Sequence, residues 1–401
     1  MPKFSFYVII YAVIILTEKL YDKDAYLKSF DAKVISCQKA ESFYKVILNK
    51  TAFFPEEGGQ YSDKGNLNGV EVFNVQLENG EIVHYCKESV RGEVHGEINF
   101  DRRFRNMQNH TGEHIISGLV FSLFGGQNVG FHLGEDEVTC DYDIILSDEQ
   151  LKVIEYEANM AIYKNFAING YYPEKSELEN LNYRSKKEII GDVRIVTIEN
   201  IDCCACCAPH VKSTGEVGII KILSVMKLRG GVRLFISCGL DAFNDYSKKH
   251  DEIKNISSLL ACKTNECDQM VNKINDSLKK TVREFNFVKS KIYENEISKI
   301  EKTDSNLLIF IDEANADTLR SIVNCAKDKC DNLICAFSGN DNDGYSYIIY
   351  SSSADVNSLA KDINRVLCGR GGGRNPMIQG SISAKKESIE NYFSPFSSLN
   401  M

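Results

Sequence analysis

Two short motifs carry side chains that can grip a metal. His110-Thr-Gly-Glu-His114 and Cys206-Cys-Ala-Pro-His210 each place two ligand-type residues four positions apart. On a helix, residues i and i+4 lie one above the other on the same face, so His110 and His114 can hold one ion between them. Cys206 and His210 then close the far side. Three imidazoles and one thiolate suit zinc, which is tetrahedral and takes nitrogen and sulfur donors. Cys206 is the favoured thiolate because it precedes His210 by four residues; Cys203 is a substitute, and Cys204 and Cys207 are weaker ones.

The first motif alone also fits H-x-x-E-H, an inverted zinc-peptidase signature with Glu113 as general base and a distant carboxylate as third ligand. The separate Cys206–His210 pair argues against that enzyme, which also leaves the segments on either side without a role.

Two glycine-rich stretches add polar chemistry. Phe53-Phe-Pro-Glu-Glu-Gly-Gly-Gln60-Tyr-Ser-Asp63 holds paired glycines that let a backbone approach a ligand, and Gln60 can both donate and accept hydrogen bonds. A tight hairpin loop is the plainer reading. Cys368-Gly-Arg370-Gly371-Gly372-Gly373-Arg374 offers exposed N–H groups and two guanidinium forks that can wrap an anionic backbone, or is a flexible loop.

These residues need elements to position them. From Asp31 to Phe100 come short, partly alternating runs rich in β-branched and aromatic residues, which predict a small β-barrel or strongly twisted sheet. His110 to Phe124 reads as an amphipathic helix ended by Gly125-Gly126, and Ser147 to Tyr163 as a helix opened by a Ser-Asp-Glu cap. Tyr246 to Thr303 changes character: Ile274, Leu278, Val282, Phe285, Val288 and Ile292 recur at steps of three and four, predicting a helical hairpin or coiled coil that serves as a spacer. Strands at Leu307–Ile311, Leu333–Phe337 and Tyr345–Tyr350 then alternate with helices at Ala316–Lys329 and Asp355–Leu367, a compact α/β domain.

The chain of 401 residues is long enough for two or three domains, and its net charge of −9 argues against a generally basic nucleic-acid binder while leaving room for a local basic groove. Fourteen cysteines without the dense spacing of a disulfide scaffold read as reduced thiols in a cytoplasm. Phe4 to Leu16 is apolar but too short to span a bilayer comfortably, and no small-residue cleavage pattern follows it. It is a buried strand, a signal-like segment or an extension from a wrongly chosen start; no membrane partner is expected.

Seven pieces in one order resemble the alanyl-tRNA editing proteins of the long (AlaX) type, freestanding relatives of the editing domain of alanyl-tRNA synthetase. They are Leu20-Tyr-Asp-Lys-Asp-Ala-Tyr26, Thr51-Ala-Phe-Phe-Pro-Glu-Glu-Gly-Gly-Gln-Tyr-Ser-Asp63, His110-Thr-Gly-Glu-His114, Val129-Gly-Phe-His-Leu-Gly134, Cys206-Cys-Ala-Pro-His-Val211, Thr214-Gly-Glu-Val-Gly218 and the terminal Gly-Arg-Gly-Gly-Gly-Arg374. Together they run from about Lys19 to Phe393. Two departures stand out. Glu57 replaces the first glycine of the usual Gly-Gly-Gly-Gln, and Cys207-Ala208-Pro209 replaces Gly-Gly-Thr; both spacings survive.

The resemblance implies an α+β fold with a β-barrel (residues 17–100) and a zinc-binding editing domain of the kind shared with threonyl- and alanyl-tRNA synthetases (101–246). A helical coiled-coil spacer (247–303) and a C-terminal α/β domain of the DHHA1 type (304–396) follow, with residues 1–16 an apolar extension. It implies hydrolysis of the ester joining serine or glycine to tRNA(Ala), with Zn2+ on His110, His114, Cys206 and His210. Either the metal activates water or it anchors the aminoacyl group. Gln60 would line the pocket, and Glu113 and His132 are candidates to position water. Arg102, Arg103 and Arg105 would meet acceptor-end phosphates, while Arg370, Gly371, Gly372, Gly373 and Arg374 would meet the tRNA body, with homodimerisation through the C-terminal domain a further implication. Ligation of alanine to tRNA is not expected, because no aminoacylation core is visible. The readings from other classes are the zinc peptidase and a non-catalytic tRNA-binding module with structural zinc.

Overall fold

A computed structural model describes residues 17–185 and 192–400. The apolar run Phe4 to Leu16 lies outside the described residues. The chain divides into two compact units, Met1–Lys254 and Asn255–Met401.

The first unit opens with six strands whose hydrogen bonds form a closed barrel. The circuit runs Ser29–Lys39, Tyr44–Leu48, Glu81–Cys86, Val70–Glu78, Gly65–Leu67 and Glu93–Ile98, which returns to the first. Two of its hairpins turn on Asn68-Gly69 and Asn79-Gly80, each with positive φ at both residues. Asn-Gly is the pair that tolerates this backbone, whose twist matches the flanking strands. Val46, Leu48, Phe53, Phe54, Leu67, Val72 and Val75 fill the interior. His84 is buried among them, with Nδ1 3.1 Å from the Val46 carbonyl and Nε2 2.8 Å from Thr51 Oγ1.

The barrel hands the chain directly to a 25-residue helix, Phe100–Phe124. It starts ten residues before the helix expected at His110. Asn99 caps it by accepting from the Arg102 N–H at 3.0 Å, and Gly125 ends it in the left-handed conformation. The Asp101 to Arg105 segment is thus its first turn and a half. Behind it lies a sheet in the order Ile220–Leu228, Gly231–Cys238, Val138–Tyr142, Asn128–Leu133. A second helix, Asp148–Lys164, opens with a capping box between Ser147 and Gln150. Met107, Ile115, Ile116 and Val120 of the first helix share one core with Ile154 and Ala158 of the second and Cys140, Leu234 and Ile236 of the sheet. Gly112 allows this close packing: a Cβ there would sit 2.3 Å from Cys238 Sγ. Three further strands, Ile168–Tyr171, Ile195–Ile198 and Asp202–Ala205, form a small antiparallel sheet.

Helix Gly239–Leu260 crosses the boundary in sequence, and helix Cys267–Ser298 belongs to the second unit. The stripe expected to form a coiled coil remains exposed on the latter: Ile274, Leu278, Val282, Phe285, Val288 and Ile292 all stay in solvent. A six-stranded sheet follows, in the order Gly369–Arg374, Met377–Ile382, Gly344–Tyr350, Ile334–Asn340, Asn306–Ile311, Phe396–Asn400. Along the Asn306–Ile311 strand, Leu308 and Phe310 enter one core while Leu307, Ile309 and Ile311 enter another, so both faces are covered. Two expectations change here. The Gly-Arg segment is an edge strand rather than a loop, and a last strand, Phe396–Asn400, joins parallel to Asn306–Ile311. No helix among the described residues is long and apolar enough to cross a membrane.

Candidate metal centre

His110 and His114 lie one turn apart on the buried face of the Phe100–Phe124 helix, and Cys206 and His210 come from the segment after Asp202–Ala205. One ligand atom from each of the four falls within 4.8 Å of all the others. Cys206 Sγ lies 3.6 Å from His110 Nε2 and 3.4 Å from His210 Nε2. All three histidines are buried, and the thiol is half-buried.

Each imidazole is held from behind through its other nitrogen. His110 Nδ1 donates to Gln60 Oε1 at 2.8 Å, and His114 Nδ1 to Asp202 Oδ2 at 2.8 Å, while His210 Nδ1 lies 3.0 Å from Thr111 Oγ1. An imidazole whose Nδ1 is engaged in this way presents Nε2 as its donor atom, the arrangement by which outer partners orient metal ligands. Phe131 covers His110, ring to ring at 4.7 Å.

The electrostatics follow from the packing. Burial raises the Cys206 thiol, but the His110 and His210 imidazoles beside it outweigh that and hold it well below the usual thiol range. Burial pushes His210 down to about 3. Burial also pulls His114 down, yet its bonds to Asp202 and Cys206 outweigh this and set it well above its ordinary value. Cys204, by contrast, is pushed up to about 11 by burial. The imidazoles beside Cys206 favour its thiolate while burial favours the neutral thiol at Cys204, which separates the two as donors.

Glu113 is buried rather than solvated on the helix surface. Its Oε1 accepts from Ser117 Oγ at 2.7 Å and Asn128 Nδ2 at 2.6 Å, and its Oε2 lies 3.9 Å from His114 Nε2. Gln60 is fully buried at the tip of its loop. Gly59 beside it has φ +85°, and a Cβ there would strike the Phe131 carbonyl at 2.2 Å, so glycine is required. Glu57, where a glycine is usual, has no such positive φ and fits without strain.

Other expected site residues are placed elsewhere. Arg103 is a correction: it is wholly buried in an ion pair with Asp63 and cannot reach a phosphate. Arg102 pairs with Glu135 at 3.0 Å and Arg105 with Asp241 at 2.7 Å, so any phosphate there competes with carboxylates. His132 is also a correction. It is exposed and packs edge-on against Tyr61 at 5.3 Å, and strand alternation turns it away from the face on which Phe131 covers His110. Arg370 and Arg374 are exposed on the edge strand. They share one face with Gly372, where a Cβ would meet nothing, while Gly371 and Gly373 press against the sheet.

Sequence reasoning missed Asp202, Thr111 and Arg184. Arg184 clamps the Asp202 carboxylate with bonds of 2.7 and 2.9 Å. Asp202 stands 88 positions from His114, and no spacing rule links them.

Comparison with known proteins agrees with this architecture. Residues 193–235 match the threonyl and alanyl tRNA synthetase second additional domain, and residues 304–394 match the DHHA1 domain. The chain therefore carries one stretch that matches a domain of threonyl and alanyl tRNA synthetases and another that matches the DHHA1 domain. Over nearly its whole length it is related to the alanyl-tRNA editing proteins. It is 28% identical over 400 residues to the alanyl-tRNA editing protein AlaX-L of Pyrococcus horikoshii, covering 93% of this chain and 96% of that one. It is 31% identical over 404 residues to the alanine–tRNA ligase of Pyrococcus abyssi, and 28% over 393 residues to that of Methanococcus maripaludis strain S2. In both cases the match covers 93% of this chain and only 43% of the ligase. A solved C-Ala domain of Aquifex aeolicus alanyl-tRNA synthetase matches 23% of this chain and 93% of its own at 20% identity and a TM-score of 0.20, too distant to define the fold.

Proposed function

We propose that the chain is a zinc-dependent deacylase that hydrolyses the ester of tRNA(Ala) wrongly charged with serine or glycine. One observation carries the reading: three imidazoles and the Cys206 Sγ converge while each imidazole Nδ1 is engaged from behind. Donors at the usual zinc distances in a tetrahedron stand about 3.5 Å apart, and the 3.4 and 3.6 Å separations from Cys206 Sγ match that spacing.

His110, His114, Cys206 and His210 would hold the ion. Where one of these four donors exchanges or the coordination expands, bound zinc would supply Lewis acidity toward water or the aminoacyl group. The remaining work falls to the chain itself. Gln60 and Asp202 fix the ring planes of His110 and His114. Phe131 shields the His110 side from water. Glu113, aligned by Ser117 and Asn128, is the carboxylate placed to orient a water molecule. Arg370 and Arg374, with the backbone of Gly371 to Gly373 between them, offer an open basic strip to a tRNA backbone. The name of the Pyrococcus editing protein supports tRNA as the substrate class, and the free cysteines, spread from Cys37 to Cys368, fit a cytoplasmic place of work.

The peptidase reading fares worse, because the third and fourth donors are Cys206 and His210 rather than a lone carboxylate. Incubation of the purified chain with seryl-, glycyl- and alanyl-tRNA(Ala), with and without zinc, tests the proposal. Release of serine or glycine that a chelator abolishes supports it. Tight tRNA binding without release would instead make the chain a binding module, and full turnover by metal-free protein would remove the zinc.

A further inference from the structure

We propose that Arg103 and Asp63 form a positioning clamp that sets the geometry of the metal centre through Gln60. The inference rests on the reading of His110 as a metal ligand given above.

Arg103 lies seven residues before His110, two helical turns along the same face. Its side chain and that of Asp63 are both wholly buried. Arg103 Nε donates to the two Asp63 oxygens at 3.1 and 3.0 Å, Nη2 bonds Asp63 and also the Ala52 carbonyl at 2.6 Å, and Nη1 bonds the Ala25 carbonyl at 2.9 Å. One guanidinium thus gathers three separate stretches of chain onto the histidine helix. The planar fork of arginine is what makes this many fixed bonds possible.

Asp63 passes the constraint to the glycine loop. Its Oδ2 accepts from the Phe54 N–H at 2.7 Å, and its own N–H donates to the Phe54 carbonyl at 3.0 Å, which closes residues 54–63 into a loop. At the tip, Glu57 and Gln60 exchange backbone hydrogen bonds of 3.2 and 3.1 Å, and the Gly59 carbonyl accepts from the Leu133 N–H at 2.7 Å. The loop is therefore tied at its base to the helix and at its tip to a strand. Gln60 sits between those ties.

Its side chain has little else to steer it. Gln60 Oε1 reaches His110 Nδ1, while Nε2 is buried with no hydrogen-bond partner among the described residues. The backbone position of the loop consequently decides whether Gln60 meets His110. A buried ion pair adds little net stability compared with well-packed apolar residues, and its use here is to fix register.

The test is a double-mutant cycle read as zinc affinity of the full-length chain, by competition with a chromogenic chelator. Gln60→Ala is expected to weaken zinc about 10-fold, the lower end for loss of an outer partner. Asp63→Asn is expected to weaken it by a similar factor in the wild-type background and by almost nothing in the Gln60→Ala background, because the clamp acts through Gln60. Arg103→Lys keeps the charge but loses the fork; it should show the same coupling with a smaller loss, and it carries the test if Asp63→Asn does not fold. Equal losses in both backgrounds would overturn the inference, since a merely structural clamp would add to the loss of Gln60. Serine release measured on the same variants separates the two claims. Coupled affinities without any deacylation uphold the clamp and sink the proposed reaction, while deacylation with additive affinities does the reverse. A wild-type chain that binds no zinc overturns both.

Discussion

The Asp202 carboxylate bridges His114 and Arg184. Its Oδ2 stands 2.8 Å from His114 Nδ1, and Arg184 grips both oxygens from the other side. Burial raises Asp202, yet His114 and Arg184 outweigh it and keep the carboxyl below its ordinary range. Asp202→Asn should weaken zinc by about 10- to 100-fold, as loss of a partner behind a ligand does. Metal titration checks this; unchanged affinity would mean that Asp202 braces the fold and not the ligand.

Two overlapping donor groups exist among the described residues, because His114, Asp202 and Cys204 also cluster within 4.8 Å. His114 cannot serve both with one nitrogen. Its Nδ1 is committed to Asp202, which leaves Nε2 for the four-residue group. Elemental analysis should therefore find one zinc per chain. Cys206→Ala should lose it together with deacylation, whereas Cys204→Ala should retain it. Loss of metal from Cys204→Ala with retention in Cys206→Ala would reverse the assignment.

The barrel should be acid-sensitive through His84. Burial depresses its pKa to about 4, below the ordinary value of about 6.5. The unfolded chain binds the proton first, so this contribution is fully present above pH 6.5 and is lost as pH falls through the window down to about 4. The shift is worth on the order of 3 kcal/mol. Urea unfolding at pH 7 and pH 4.5 should show that the acid loss is larger in wild type than in His84→Gln. Parallel losses in the two proteins would exclude His84 as the sensor.

Neutralising Arg370 and Arg374 together should weaken tRNA binding and flatten its salt dependence, by a slope of about 1 for each phosphate no longer neutralised. Filter binding across a salt series measures both. The zinc content of the double variant should stay the same, because neither arginine is among the four proposed donors or the side chains bonded to them.

The His110–His114 pair was legible because i, i+4 on one helix face is a geometric rule that sequence preserves, whereas Cys206 and His210 meet it from a non-helical segment that no such rule covers. The barrel strands were legible for the same reason, since alternation and Asn-Gly turns are local. What escaped was set by packing between distant parts of the chain. Arg103 reads as one more basic residue in Asp-Arg-Arg-Phe-Arg, and only the helix starting at Phe100 turns it inward onto Asp63. His132 resembled a site residue by motif, yet its position next to Phe131 on a strand sends it to the other face. The glycines from Gly371 to Gly373 suggested a loop by composition, but pairing with Met377–Ile382 supplied the strand.

Gly112 lies between the two histidines, and a methyl group there would collide with Cys238 on the sheet behind. Either the Cys238 thiol would have to turn aside within a fully buried core, or the helix would lift and carry His110 and His114 away from Cys206 and His210. Gly112→Ala ought to improve helix propensity by nearly 1 kcal/mol taken alone. In this chain that gain is set against the clash, and where the helix gives way the two halves of a four-point socket part. The tolerance of the centre is therefore set by a clearance on its far side, so a survey that scored only the donors and their hydrogen bonds would pass a variant whose socket no longer closes.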